Sequence, residues 1–314
     1  MISCTDFIPT YSALFTYLET NFGPDAVEKY WQHSFNPANK KDLYGHMERD
    51  GLRGCFLYWT TSLNEEAADF TMYLNEKRGF FMIQMHHCPS KGRLLTLQAD
   101  TGVKPYPHYC LHCDHYRDTI ERFGLKYIYN FNGMDKAACS ELIYDPNVFD
   151  GRIIIDEDTE IMDRKTSDNE YFHRAFHGSF NRGVQYLGSV YGEDHVRSYL
   201  AEFASTVYAP IAAKASQQGL QPIADMIADS YRKEHASEAL TLRLEDNSLE
   251  VSVAWCPALR YFKESGISVS TWYGLSTEVV METLAKNSGF AFTMESYDPE
   301  TGESKYRFYE MRIK

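Results

Sequence analysis

The sequence predicts an α+β fold built as a tandem duplication, each copy a set of helices followed by a small antiparallel sheet. The first observation behind this is a collinear self-match. Tyr17-Leu18, Gly23, Asp25, Val27 and Tyr30 recur as Tyr186-Leu187, Gly192, Asp194, Val196 and Tyr199 at a constant offset of 169. The match continues through Gly51-Leu52 with Gly219-Leu220, Ala67, Thr71 and Leu74 with Ala236, Thr241 and Leu244, Cys88-Pro89 with Cys256-Pro257, Tyr109 with Tyr273, and Gly124 with Gly289. Self-similarity at a fixed offset is the sequence mark of an internal repeat. The second observation is a pair of hairpin signals. Phe70–Leu74 and Phe80–Met85 flank a turn at 75–79, and Leu240–Leu244 and Leu249–Ala254 flank one at 245–248. The third is a glycine, Gly124 or Gly289, closing a helical stretch just before two more strands in each half.

The elements follow in order. Tyr11–Trp31 has helical spacing broken at Gly23-Pro24-Asp25, where glycine ends one helix and proline opens the next. Gly192-Glu193-Asp194 repeats the break. In the second copy a helix runs from Pro210 through Lys214, Gly219 interrupts it, and Pro222–Tyr231 forms another. Helices are expected over Asp114–Phe123 and Thr277–Ser288. Closing strands are expected over Leu125–Asn130 with Ser140–Tyr144, and over Phe290–Ser296 with Lys305–Met311. The expected boundaries are residues 1–149 for the first copy, 150–169 for an acidic linker and 170–314 for the second copy. The linker carries one short strand at Ile153-Ile154-Ile155.

Composition limits the function. The chain has 314 residues and a net charge of −13, with acidic residues spread along it rather than gathered in a tail. Nucleic acid and anionic membrane surfaces reward clustered Lys and Arg, so neither is an expected partner. No apolar run reaches the length of a membrane span, and the N-terminus carries Asp6 without a basic stretch, so no signal peptide is expected. Seven cysteines without a secretion signal read as reduced thiols in the cytoplasm. Abundant aromatics (23 Tyr, 19 Phe) suit cores and the walls of a pocket for a small-molecule substrate.

The chemistry-bearing residues gather in the first copy. His86-His87-Cys88-Pro89, the run His108–His115 and Cys139 form the densest constellation. Where the first copy has Cys110, Cys113 and Cys139, the second has Gly274, Thr277 and Ser304. Cys88, Cys110 and Cys113, with His112 or His87 as a fourth ligand, have the donor types of a zinc site, and three protein ligands plus water would make it catalytic. A metal-free reactive thiol and inert buried cysteines are the competing readings. Cys113 is the first catalytic candidate, with Asp114 or Glu66 carrying the proton. Cys4, Cys55 and Cys256 are expected to be packed and inert. Glu65-Glu66 and Glu234-His235 precede the first strand of each copy, and His173 and His177 are spaced to share one helix face and bind a metal.

The second copy has a recognisable cadence: Val253-Ala254-Trp255-Cys256-Pro257-Ala258-Leu259-Arg260-Tyr261-Phe262, then Gly289-Phe290-Ala291-Phe292, then the turn and strand from Gly302 to Phe308. It resembles the L-2-amino-thiazoline-4-carboxylate hydrolase-like family and, more distantly, is similar to the small-molecule-binding domains related to 4-vinyl reductases. The resemblance implies an α+β unit with a pocket between helices and sheet, and cysteine- or metal-dependent chemistry. It also implies a cysteine in the helix and another near the last strand. Cys113 and Cys139 keep that pattern, whereas Thr277 and Tyr306 depart from it. The expected function is a metal- or cysteine-dependent hydrolase acting on a C–N or C–S bond of a small heterocycle or amide. The alternative is a non-catalytic small-molecule or metal sensor.

Overall fold

In the computed structural model, which describes residues 2–36 and 38–310, the fold is α+β. Met311, the expected end of the last strand, lies outside the described residues. The chain divides into two units. The N-unit comprises Leu18–Asp100 and Lys104–His173; the C-unit comprises the chain up to Tyr17, Thr101–Val103 and the chain from Arg174. The expected boundary at residue 149 is therefore not where packing divides the chain. The first helix, α1 (Phe7–Phe22), begins in the C-unit because Phe7 stacks on Phe176 at 4.5 Å and the Tyr199 hydroxyl donates to the Thr10 carbonyl at 2.8 Å.

The N-unit continues with α2 (Pro24–Phe35), α3 (Lys41–Glu65), β1 (Asp69–Asn75), β2 (Phe80–His87) and α4 (Pro89–Thr101). A 3-10 run over Tyr109–His115, the short α5 (Tyr116–Ile120) and a second 3-10 turn over Glu121–Phe123 stand where a single helix over Asp114–Phe123 was expected. Strands β3 (Lys126–Asn130), β4 (Cys139–Tyr144) and β5 (Glu160–Arg164) complete the unit. The five strands are antiparallel in the order β3-β4-β2-β1-β5. The expected linker thus supplies an edge strand, but at Glu160–Arg164. Ile153, Ile154 and Ile155 are exposed and outside any strand.

The C-unit holds α6 (Ala175–Tyr191), α7 (Glu193–Val207), α8 (Ala209–Gln218) and α9 (Gln221–Lys233), followed by β6 (Leu240–Glu245), β7 (Ser248–Val253), α10 (Pro257–Ser265), α11 (Leu275–Ser288), β8 (Ala291–Tyr297) and β9 (Ser304–Tyr309). Its sheet runs β6-β7-β9-β8, the order of β1-β2-β4-β3. The registers agree as well. Met85 pairs with Cys139 and Val253 with Ser304; Glu141 pairs with Tyr129 and Tyr306 with Met294; Phe70 pairs with Met85 and Leu240 with Val253. These pairs place Cys139 opposite the role of Ser304, and Glu141 opposite that of Tyr306. Gly124 and Gly289 end the helix before the third strand of each sheet, at φ 77° and 83°, a left-handed conformation that costs glycine little. One sequence pairing shifts by a residue. Ala67 (φ 51°) takes the conformation of His235 (φ 52°), so Ala68 rather than Ala67 corresponds to Ala236, and Glu66 corresponds to Glu234.

One face of the N-unit sheet is packed on α3. Phe70, Met72, Leu74, Phe81, Ile83 and Ile143 are fully buried, and Phe81 meets Phe56 and Trp59 of α3 at 5.9 and 6.0 Å. Trp59 in turn meets Tyr116 at 5.2 Å, so the ring ladder that forms the core also fixes the residue beside the cysteines. In the C-unit, α6 approaches its neighbour closely. A Cβ on Gly188 would lie 2.3 Å from the Trp272 ring, whereas one on Gly178 would meet Ile267 at 3.4 Å. Gly188→Ala is expected to destabilise the protein by about 1–3 kcal/mol through overpacking. Gly178→Ala should be neutral or stabilising by up to about 1 kcal/mol, because alanine is the better helix former. Urea denaturation of the two variants checks this.

Candidate functional site

Strand alternation builds the floor of the site. Cys139, Glu141 and Ile143 of β4 pair with Met85, Ile83 and Phe81 of β2, so all three point to the packed face. Tyr127 and Tyr129 of β3 lie on the same face, opposite Ile143 and Glu141. Cys88 follows β2 and opens α4, where the Lys91 amide donates to its sulfur at 3.4 Å. Cys110, His112 and Cys113 arrive from the 3-10 run. Of the seven cysteines, Cys4, Cys55 and Cys256 are buried, and Cys88, Cys110, Cys113 and Cys139 are half-buried. The four half-buried thiols lie close enough for the charge of one to raise the pKa of others.

These groups are neutral at rest. Burial pushes the Cys88 thiol up to about 12 and raises the Cys113 and Cys139 thiols as well, with the Glu141 charge adding to the last two. Burial likewise raises the hydroxyls of Tyr116, Tyr127 and Tyr129. Glu141 is only 7 % exposed and one carboxylate oxygen, Oε2, has no hydrogen-bond partner. Burial pushes its carboxyl up to about 7, although the Tyr127 hydroxyl pulls the other way. His112 is held low, at about 4, by burial and by the positive charge of Lys40. Its Nδ1 contacts the Tyr109 carbonyl and its Nε2 lies 3.6 Å from Cys113 Sγ. In the neutral ring Nδ1–H is then the donor to the carbonyl, which leaves Nε2 as the acceptor facing the thiol.

The other sequence candidates are placed differently. Asp114 is tied to Arg117 in an ion pair of 2.5 Å at the surface, so its carboxylate is already engaged. Glu66 lies beside Cys88; burial raises its carboxyl, and its hydrogen-bond partner is Ser90 at 3.5 Å. His173 precedes α6 and pairs with Glu65 at 2.7 Å, while His177 lies on α6 and bonds Glu234 at 3.0 Å, so the two histidines do not share a ligand. Sequence reasoning missed Glu141, Tyr127 and Tyr129. The signal was present, because in a strand that buries Cys139 and Ile143 the residue between them by alternation is Glu141.

Cys88, Cys110, Cys113 and His112 have the donor types of a zinc site, but among the described residues they do not form a group of three ligand atoms within 4.8 Å of one another. Among the described residues, the grouping of three His, Cys, Asp or Glu ligand atoms within 4.8 Å of one another is Cys4, His177 and Glu234, all buried, in the C-unit. That group can hold a metal ion. The C-unit counterpart of the thiol cluster is lined instead by tyrosine. A cavity of about 340 Å³ is bordered by Tyr273, Gly274, Leu275, Met294 and Tyr297, among others, and the buried Tyr273 hydroxyl has no partner. A Cβ on Gly274 would lie 2.8 Å from the Tyr297 ring, so a cysteine at this position would collide with that ring.

In comparisons with protein-family models, curated proteins and solved structures, nothing matches this chain. No helix among the described residues is long and apolar enough to cross a membrane.

Glu141 makes stability depend on pH. Its pKa is raised on folding, from 4.5 to about 7, so the folded state holds the proton more tightly. Its contribution is fully present below about 4.5 and is lost as pH rises through about 7. The shift corresponds to about 3 kcal/mol as an order of magnitude. Glu141→Gln should lack that loss, so its stability relative to wild type should improve by about that amount between pH 4 and pH 8. Urea denaturation of both proteins across this range measures it.

Proposed function

We propose that the N-unit is a cysteine-dependent hydrolase of a small heterocyclic or amide substrate, with Cys113 as nucleophile, His112 as base and Glu141 as acid. The observation that carries this reading is the 3.6 Å approach of Cys113 Sγ to a neutral His112 whose other nitrogen is engaged by a carbonyl. A nucleophile beside an oriented base is the arrangement that activates a weak nucleophile. Cys113 Sγ bonds to the electrophilic carbon of a C–N or C–S bond as its proton passes to His112 Nε2. The leaving nitrogen or sulfur departs with a proton from Glu141. Water then attacks the enzyme-bound thioester or its imidate equivalent and gives one proton to Glu141, while the Cys113 sulfur leaves with the proton held on His112, so that all three groups return to their starting states. The equivalent strand order and registers of the two sheets support a duplicated origin, with the thiols kept in one copy.

A second reading is a small-molecule binding protein. The C-unit cavity favours it, since Tyr273, Leu275, Met294 and Tyr297 give it aromatic and apolar walls beside the polar Ser270 and Glu278.

Activity should require His112 neutral and Glu141 protonated. The pH profile of kcat/KM is therefore expected to be bell-shaped, with limbs near 4 and 7. Glu141→Gln should remove the upper limb, and Cys113→Ala should lower turnover by at least ~100-fold. The assay is hydrolysis of a panel of thiazolines, cyclic amidines and small amides. Ligand binding without turnover on the panel, unaltered by Cys113→Ala, would support the binding protein instead.

A further inference from the structure

We propose that Cys4, His177 and Glu234 form a zinc-binding site that fastens the N-terminal segment to the helices of the C-unit. The three donors come from distant parts of the chain. Cys4 opens a 3-10 turn at Cys4–Asp6, His177 lies near the start of α6, and Glu234 directly follows α9. Each is at most 5 % exposed. A thiolate, an imidazole and a carboxylate together are the mixed donor set that zinc accepts. The geometry is also already suitable. Zinc–ligand bonds of about 2.0–2.3 Å in a tetrahedron place donor atoms about 3.3–3.8 Å apart. All three ligand atoms lie within 4.8 Å of one another, and His177 Nε2 to Glu234 Oε2 is 3.0 Å, so small side-chain adjustments would admit the ion.

The site has a physical rationale beyond proximity. Buried ionisable groups are costly unless paired or bound to a metal. His177 and Glu234 satisfy each other, and the Cys4 backbone amide donates to the second Glu234 oxygen. The Cys4 side chain also hydrogen-bonds Glu234, which brings its sulfur within ligand distance of both partners. A divalent ion would use all three side chains and convert the thiol to its thiolate, since metal binding releases ligand protons. Burial of the donors keeps substrate away, so the ion's role is to hold residues separated by 57 and 230 positions in one place. The proposal does not depend on chemistry in the N-unit.

The test uses the full chain, purified without chelator and then saturated with zinc or, separately, cobalt(II). Bound metal is measured by elemental analysis, and cobalt ligation by the thiolate-to-cobalt absorption band. The expected result is one equivalent of zinc lost on Cys4→Ser, with at least about tenfold weaker affinity, and a thiolate-to-cobalt band that this variant lacks. Cys55→Ser, a buried cysteine of the N-unit core, and Cys113→Ser should both retain that equivalent. Chelator should lower the Tm of wild type by several degrees and leave that of Cys4→Ser unchanged, which gives a reading on wild type even if the variant folds poorly. Absence of bound metal after zinc saturation would overturn the proposal. So would unchanged binding in Cys4→Ser, or loss of the metal in Cys113→Ser with its retention in Cys4→Ser.

Discussion

Antiparallel pairing of β2 with β4 is the constraint on which the N-unit's chemistry depends. Side chains alternate between sheet faces, so a slip of one residue would turn Cys139 and Glu141 toward the opposite face and bring Ser140 and Leu142 inward. Phe81, Ile83 and Met85 specify the register because they need the packed face. The same hydrophobic demand that fixes the sheet therefore forces a carboxylate into the core. Compensation is partial: the Tyr127 hydroxyl bonds the carboxyl, but Oε2 is unpartnered and burial prevails. The carboxyl responds by holding its proton to about pH 7, which is the property that makes it useful as an acid.

The two sheets share order and register but differ in what they enclose. At the positions of Cys139 and Glu141 the C-unit has Ser304 and Tyr306, both buried. At the position of Cys110 it has Gly274, pressed against Tyr297. In strand register a serine thus stands where the N-unit has a thiol, and a tyrosine where it has a carboxylate.

Much of the fold was legible in the sequence. Hairpins and helix-ending glycines are local signals, and both hairpins and both glycines stand where the sequence placed them. The edge strand was misplaced because Ile153–Ile155 offered hydrophobicity and β-branching, whereas β5 is chosen by pairing along β1, from Phe70 with Arg164 to Leu74 with Glu160. Such a partner lies far away in sequence and leaves no local mark. The broken helix before β3 was likewise hidden, because the 3-10 geometry of Tyr109–His115 is set by packing of His112 and His115 on Phe35 rather than by propensity. At the site, cysteine spacing drew attention to the right segment. It could not show that Asp114 would pair with Arg117, or that His112 would turn its Nε2 to Cys113.

Glu66 and Glu234 show how the same position can acquire opposite properties. Each follows the helix that leads into the first hairpin of its unit, and each precedes a residue with φ near 50°. Burial acts to raise both carboxyls. For Glu66 it prevails, because the charges of His173 and Arg93 and the Ser90 hydroxyl are too weak to offset it. For Glu234 burial is outweighed by the His177 hydrogen bond and charge together with bonds from Cys4, so that carboxyl stays below its ordinary value. A carboxylate kept ionised in the interior holds a cation or a protonated partner in place, while one kept protonated can give up a proton. Glu66 and Glu234 share a local backbone conformation, and the partners within hydrogen-bond distance, His177 and Cys4 for Glu234 and Ser90 for Glu66, decide which of these each becomes.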